Sequence, residues 1–436
     1  MFNEQLCAEL RHHLADFALD MPCNPAGSTL TDAAQVYLEF YGFLEVLKDS
    51  QVDYFWGYRS CPCRGKSLRV ATHYWRLPEA RGTVFVVHGL FDHVGLFQDL
   101  VAYLLAQQYS VVAIDLPGHG LSDGEATVIT SFFDYAAVLE DTYKFFRWQL
   151  PDGPVYGIGQ STGAAVLMAF CFSSSAVGEP QPFSRLVFLA PLMRPRQWYW
   201  GRLAYRWAGG WLRRLRRDFS LPNSHDAEFH SFLRYYDPLQ AKWLSIDWVG
   251  ALNEWVEGFA AQPEIPSPLL IIQGTADRVV DWRHNVPAIQ GRFPNNQVNY
   301  IEGAMHHLAN EADAWRKAVF TGIGQFLRQR GGQRHPEGRP DLGDAAPDVL
   351  RLDRAPRVEV GRHVEREPVG QGQAGRRAPD PEPEERQPVH QEDPLGTARA
   401  ADQRGRPGAP ASAPSLVPEP AAPRISAAAD TGTPRR

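Results

Sequence analysis

Val155-Tyr-Gly-Ile-Gly-Gln-Ser-Thr-Gly-Ala-Ala-Val-Leu-Met-Ala-Phe170 is the stretch around which the rest of the chain can be arranged. A short apolar run ends in Gly159-Gln-Ser-Thr-Gly163, and an Ala- and Leu-rich run of helical character follows at once. G-x-S-x-G between a strand and a helix predicts a sharp turn with Ser161 at its tip. The turn holds the serine in a strained backbone conformation, and its neighbours two residues away must be small so that strand and helix can approach. The start of the helix after the turn offers free N–H groups and a positive dipole end, which suit a developing oxyanion.

Working outward, apolar runs recur at Val52–Tyr58, Leu68–Trp75, Thr83–Val87, Ser110–Ile114, Pro154–Ile158, Arg185–Leu189, Leu269–Ile272 and Gln297–Ile301. Helical stretches lie between the later ones, at Leu96–Gln107, Phe132–Gln149 and Ala164–Phe172. Hairpin-like strands followed by alternating strand and helix predict an α/β domain with a mostly parallel sheet. Sites in such sheets lie just beyond the carboxyl ends of the strands. Four motifs fall there: His88-Gly-Leu-Phe-Asp-His93, Asp115-Leu-Pro-Gly-His-Gly-Leu-Ser122, Gly274-Thr-Ala-Asp277 and Gly303-Ala-Met-His-His307.

A serine hydroxyl needs a base, and the base needs an orienting acid. The order is Ser161, then Asp277, then His306 or His307. Asp281 is a rival acid, although its place after Val279-Val280 reads as a helix cap. The 29 residues from Asp277 to His306 leave room for one helix and one strand, which would bring both loops to one sheet edge. The backbone N–H groups of Leu90 and Thr162 are the expected oxyanion donors. His88 is read as supporting its loop by hydrogen bonding, and Asp115 to Gly120 as a tight structural turn.

With His88-Gly89, Asp115 to Ser122, Gly-Gln-Ser-Thr-Gly163, Gly274 to Val280 and Ile301-Glu-Gly-Ala-Met-His-His-Leu-Ala-Asn-Glu311, the chain resembles the monoacylglycerol lipase and lysophospholipase group of α/β-hydrolases, also described as serine aminopeptidase S33-like. The resemblance covers about residues 65–330. It implies the α/β-hydrolase fold and a serine hydrolase for carboxylic esters of lipid type, monoacylglycerols or lysophospholipids, acting through an acyl-enzyme. It also implies His306, from the pattern Gly-Ala-x-His before a helix start, as the base, and no metal or organic cofactor. Gln160 and Thr162 stand where the group commonly has His and Met, which marks a divergent member. Alternatives on the same residues are an acyltransferase or a C–C or amide hydrolase; from a different class comes a non-catalytic protein that binds a hydrophobic ligand.

Residues 192–262 interrupt the alternation and predict a helical cap. They carry seven of the 12 tryptophans, and Arg213-Arg-Leu-Arg-Arg217 follows Trp211 and Leu212. This segment reads as an aromatic-packed lid with a solvated basic face, or as an interfacial segment contacting an anionic membrane surface. Residues 1–50 predict packing helices at 3–19 and 32–48, with Leu6, Leu10, Leu14 and Phe17 on one helical stripe. Residues 51–330 are expected to form the α/β-hydrolase domain that the resemblance implies. After Arg330 there is no Phe, Tyr, Trp, Cys, Met or Lys, so 331–436 reads as disordered.

A net charge of −6 gives no nucleic-acid footprint. Five cysteines in so long a chain fit reduced thiols and a cytoplasmic location. Cys61-Pro-Cys63 has no second pair at ligand spacing. No signal peptide is expected at the N-terminus, and no run approaches the roughly 18 apolar residues that span a membrane. Nothing in the residues speaks to oligomeric state.

Overall fold

The computed structural model describes residues 2–23, 30–48, 51–208, 210–219 and 222–329. These belong to the first of two compact units, Met1–Arg362; the second, His363–Arg436, and with it the expectation for 331–436, lies outside the described residues. The strands are β1 (Asp53–Cys63), β2 (Lys66–Arg76), β3 (Thr83–Val87), β4 (Ser110–Ile114), β5 (Val155–Gln160), β6 (Arg185–Leu189), β7 (Arg214–Arg216), β8 (Trp243–Ser245), β9 (Leu269–Gly274) and β10 (Asn296–Ile301). The helices are α1 (Glu4–His13), α2 (Asp32–Phe40), α3 (Phe43–Val46), α4 (Gln98–Ala106), α5 (Phe132–Arg147), α6 (Thr162–Ala176), α7 (Trp198–Ala208), α8 (Ala227–Tyr235), α9 (Ile246–Gly258), α10 (Trp282–Gln290) and α11 (Asp313–Arg328).

Eight strands form one sheet in the order β1-β2-β4-β3-β5-β6-β9-β10. β1 and β2 pair antiparallel, β2 meets β4 antiparallel, and every later pairing is parallel. Every residue of β3, β4 and β9 is buried, because helices cover both faces. One apolar core lies under α1, α2, α4 and α11; the other lies under α5, α6, α9 and α10. This is the mostly parallel α/β sheet expected from the order of strands and helices, in the α/β-hydrolase arrangement that the resemblance implies.

The N-terminal expectation needs correcting. α1 stops at His13, and Leu14 to Phe17 run extended beside β1, with Tyr58 N donating to Ala15 O and Phe17 N to Tyr58 O, both at 2.8 Å. A covered edge saturates the unpaired backbone of β1, which outweighs continuing a short helix. Gly57 permits the approach, since a Cβ there would stand 2.8 Å from Ala15 O. Phe17 packs against Phe145 and Phe146 from this extended segment, not from a helical stripe. The second expected helix breaks at Gly42, whose φ of +79° starts α3 afresh. Cys61 and Cys63 lie on β1, running into a two-residue Arg64-Gly65 turn with both φ positive.

The segment between β6 and β9 is not wholly helical. β7 pairs antiparallel with β8, so the Arg-rich run is a short strand within the cap. α7, α8 and α9 surround this ribbon in the chain. No helix among the described residues is long and apolar enough to cross a membrane.

Candidate active site

β5 ends at Gln160 and α6 begins at Thr162, leaving Ser161 between them at φ +53°, ψ −109°. A serine rarely adopts that conformation, so the turn is strained and held from both sides. Ser161 N donates to Leu189 O at 2.8 Å, and Ser161 O accepts from Leu192 N at 3.1 Å. The flanking glycines are dictated by contact. A Cβ on Gly159 would lie 2.5 Å from Ala164 N, and one on Gly163 only 2.0 Å from Val87 O.

Ser161 Oγ stands 3.0 Å from His306 Nε2, and His306 Nδ1 stands 2.8 Å from Asp277 Oδ2. With Nδ1–H donating to the carboxylate, Nε2 carries the lone pair that accepts the Ser161 hydroxyl. Asp277 Oδ2 also accepts from Gln273 Nε2 at 3.1 Å, while Oδ1 accepts from the N–H of Val279 at 2.8 Å and of Val280 at 3.1 Å. Burial would push the Asp277 carboxyl up, but the His306 charge and these hydrogen bonds hold it below the usual range. Burial would likewise lower His306, yet the Asp277 charge and hydrogen bond, with Asp92 beyond, raise it above an ordinary histidine.

The rivals face elsewhere. His307 Nε2 lies 3.2 Å from Asp92 Oδ2, with its ring against Phe229. Asp281 occupies the N-cap position of α10, but its side chain bonds Arg194 at 2.7 and 2.9 Å and caps nothing.

The loop after β3 packs against Ser161: a Cβ on Gly89 would be 3.5 Å from Ser161 Cβ. Gly89 N donates to Asp92 Oδ2 at 3.2 Å, and Leu90 follows it along the cavity wall. Thr162 opens α6, where an N–H has no intrahelical partner. His88 spans the loop: Nδ1 donates to Gly89 O at 2.7 Å and Nε2 accepts from Leu116 N at 2.9 Å. Complete burial lowers it to about 3, so it stays neutral. Asp115 receives the N–H groups of Val94 and Leu121, each at 2.8 Å, a structural use of the tight turn.

Ser161 and His306 open onto a cavity of about 640 Å³ with mostly apolar walls. The cap supplies much of them, including Trp198, Leu215, Leu244, Trp248 and Leu252. Arg217 is the cap's departure from the expected solvated face. It is half-buried, lines this cavity, and lies 4.4 Å from the ring centres of Phe91 and Phe219. Arg214 pairs with Glu125, whereas Arg213 and Arg216 are exposed.

Three further residues bear on the site without a signal strong enough to read in advance. Gln160 Nε2 donates to His306 O at 2.9 Å and so ties the elbow to the histidine loop. Glu311 is fully buried; it accepts from Met305 N at 2.6 Å, from His225 N at 2.8 Å and from Ala312 N at 3.0 Å, which joins that loop to the cap. Asp237 of the cap accepts from Tyr41 Oη at 2.7 Å and lies 2.9 Å from His93 Nε2, joining cap, N-terminal helices and the loop after β3. Their partners lie 86 to 196 residues away for the cap contacts, beyond any local pattern. Among the described residues no cluster of three or more metal-ligating side chains occurs.

Residues 78–313, more than half the chain, match the family described as serine aminopeptidase S33. A monoglyceride lipase homolog of Monkeypox virus is 26% identical over 277 residues, covering 59% of this chain and 93% of that protein. The mouse monoglyceride lipase is 26% identical over 276 residues, covering 59% and 86%. Among solved structures, a soluble variant of the Saccharomyces cerevisiae monoglyceride lipase, in complex with a substrate analog, superposes with a TM-score of 0.52 at 18% identity, covering 62% and 94%. A Paleococcus ferrophilus monoacylglycerol lipase gives 0.50 at 21% identity, covering 59% and 98%; at such identities the likeness speaks for the fold. With the family match running from before β3 to the start of α11, through elbow and histidine loop, the chain belongs to the serine aminopeptidase S33 family and has the α/β-hydrolase fold.

Proposed function

We propose that this carboxylic ester hydrolase cleaves lipid-type esters, monoacylglycerols or lysophospholipids, with Ser161 as nucleophile, His306 as general base and acid, and Asp277 as the orienting carboxylate. The relay of 3.0 and 2.8 Å contacts at the floor of an apolar cavity carries the reading. His306 takes the hydroxyl proton as Oγ attacks the ester carbon, and the N–H groups of Leu90 and Thr162 receive the oxyanion. His306 returns that proton to the leaving alcohol, leaving an acyl-enzyme. Water, deprotonated by the same imidazole, then releases the fatty acid and regenerates Ser161. The class of enzyme rests on family membership and on the similarity to monoglyceride lipases.

Labelling with a fluorophosphonate tests the assignment. Wild type reacts, Ser161→Ala and His306→Ala do not, and His307→Gln still does. A folded wild type that stays unlabelled would sink it. A panel of acyl esters with an added alcohol follows, since an acyltransferase would give new ester where a hydrolase gives free acid.

The same cap supports peripheral contact with a membrane. Trp200, Leu203 and Trp207 share one face of α7, and Trp200, Trp207 and Trp211 are 73%, 81% and 94% exposed, with Arg213 and Arg216 close in the chain. Co-sedimentation with anionic vesicles should weaken when Arg213, Arg214 and Arg216 become Gln. No change would remove the electrostatic part of this reading.

A further inference from the structure

Arg217 is an unusual wall for an apolar cavity. A guanidinium carries five donors and stays charged. Among the described residues the one hydrogen bond of the Arg217 guanidinium runs from Nη1 to Gln240 Oε1, and no carboxylate stands within ion-pair distance. The two acids whose charges reach it are occupied. Asp92 is held by Gly89 N–H and His307, and Asp237 by His93, Tyr41, Gln240 and the N–H of Leu239. Burial pulls Arg217 down to about 10, against the pull of those two carboxylates, so its charge is incompletely compensated although it persists at neutral pH. Such a cation is costly unless a further anion completes it.

The cavity beyond Arg217 supplies the second observation. A cleft of about 870 Å³ shares Arg216, Arg217, Asp218, Phe219 and Leu233 with the catalytic cavity. Its other charges are Arg234, Lys242, Glu4 and Asp237; Lys242 lies 3.5 Å from Glu4, and Asp237 is spent on His93. Arg216 and Arg234, set against Asp218 alone, therefore leave the cleft with a small positive surplus beside Arg217. Position matters too. Arg217 sits over the ring of Phe91, the residue next to Leu90, and lines the same cavity as Ser161, so it belongs to the wall that the loop after β3 builds.

We propose that Arg217 is a specificity-determining residue that receives a phosphate on the alcohol part of the substrate, with the acyl chain in the apolar cavity and the polar headgroup extending into the cleft. This rests on the ester-hydrolase reading above and narrows it to lysophospholipid-type esters over neutral monoacylglycerols. A planar fork matches phosphate bidentately, which Lys cannot reproduce.

The test compares kcat/KM of the full chain for 1-oleoylglycerol 3-phosphate and for 1-oleoylglycerol, both below their aggregation concentrations. The wild type prefers the phosphate ester at least tenfold. Arg217→Gln lowers the phosphate-to-neutral ratio at least tenfold, Arg217→Lys falls between, and Arg147→Gln at the end of α5 leaves the ratio unmoved. A wild type preferring the neutral ester, or an Arg217→Gln ratio equal to wild type, overturns the proposal. A second measurement needs no variant: glycerol 3-phosphate slows fluorophosphonate labelling of wild type at concentrations where glycerol does not, and equal effects of the two overturn it. Absence of labelling altogether would instead defeat the hydrolase reading, so the two failures are distinguishable.

Discussion

Asp277→Asn tests the orienting carboxylate with almost no change of shape. Asp277 Oδ1 accepts two backbone N–H groups, from Val279 and Val280, at 2.8 and 3.1 Å. An amide nitrogen facing those donors would leave both unsatisfied, so the asparagine must place its oxygen there and its NH2 toward His306 and Gln273. Gln273 also points a nitrogen at that position, at 3.1 Å. It could turn its unpartnered Oε1 inward, but only by giving up the bond from Nε2 to Gly274 O at 3.0 Å. His306 Nδ1, 2.8 Å away, must then accept, which moves the ring proton to Nε2. Nε2–H facing Ser161 Oγ cannot take a proton. An orienting aspartate replaced this way in another serine hydrolase costs about 10⁴ in kcat, or about 5.5 kcal/mol. The expected loss here is of that order, as severe as Asp277→Ala. The assay is the second-order rate of fluorophosphonate labelling, followed from about pH 5 to pH 9. Wild-type rate should rise with pH as His306 deprotonates, with the midpoint above an ordinary histidine because Asp277 and Asp92 face it. Removing the Asp277 charge moves the midpoint of any residual rate downward. A variant within tenfold of wild type would refute the reasoning.

Other perturbations follow from the same contacts. Gly163→Ala would set a Cβ 2.0 Å from Val87 O, a clash with backbone that no rotamer relieves; a loss exceeding about 3 kcal/mol is expected, read as a lowered Tm or insoluble protein. Glu311→Gln places an NH2 among the donors of Met305, His225 and Ala312, so a loss of about 2–3 kcal/mol by denaturant titration and a raised KM are expected as the cap loosens from the histidine loop. Asp237→Asn tests the buried pair with His93. Burial would lower His93, but Asp237, with Asp115 and Asp92 beyond, raises it; its contribution is therefore complete below about pH 6.5 and fades as pH climbs through the raised value. Asp237 itself, though burial would push it up, is lowered mainly by the His93 charge, so its share is lost only on strong acidification. The Tm gap between wild type and Asp237→Asn should thus be widest near pH 5–6 and shrink toward pH 9; a constant gap would contradict the pairing.

What could be read from the chain alone divides along one line. The elbow is legible because its demands are written within five residues: strand, two glycines that must touch backbone, serine, helix. The buried strands are legible because Val, Ile and Phe covered on both faces leave no room for polar alternation, as in Thr83 to Val87. Phe17 fails as a helical residue because what claims it is the open edge of β1, some 40 positions away, and only Gly57 hints at the approach. Gly42 could have been noticed, since a glycine between two apolar runs permits the left-handed turn that splits α2 from α3.

Arg217 shows the limit more sharply. In the run Arg213-Arg-Leu-Arg-Arg217 the arginines look alike, and local charge density predicts one solvated face. The fold gives them different surroundings: Arg214 meets Glu125, Arg213 and Arg216 face solvent, and Arg217 is turned between Phe91 from the loop after β3 and Phe219 and Gln240 from the cap. Desolvation of a guanidinium depends on those contacts and not on its neighbours in sequence. A nucleophile can therefore be found from its motif, whereas a residue that selects among substrates is defined by the cavity it completes. The motif thus carries the class of reaction, while the headgroup preference proposed for this cavity rests on the position of one arginine.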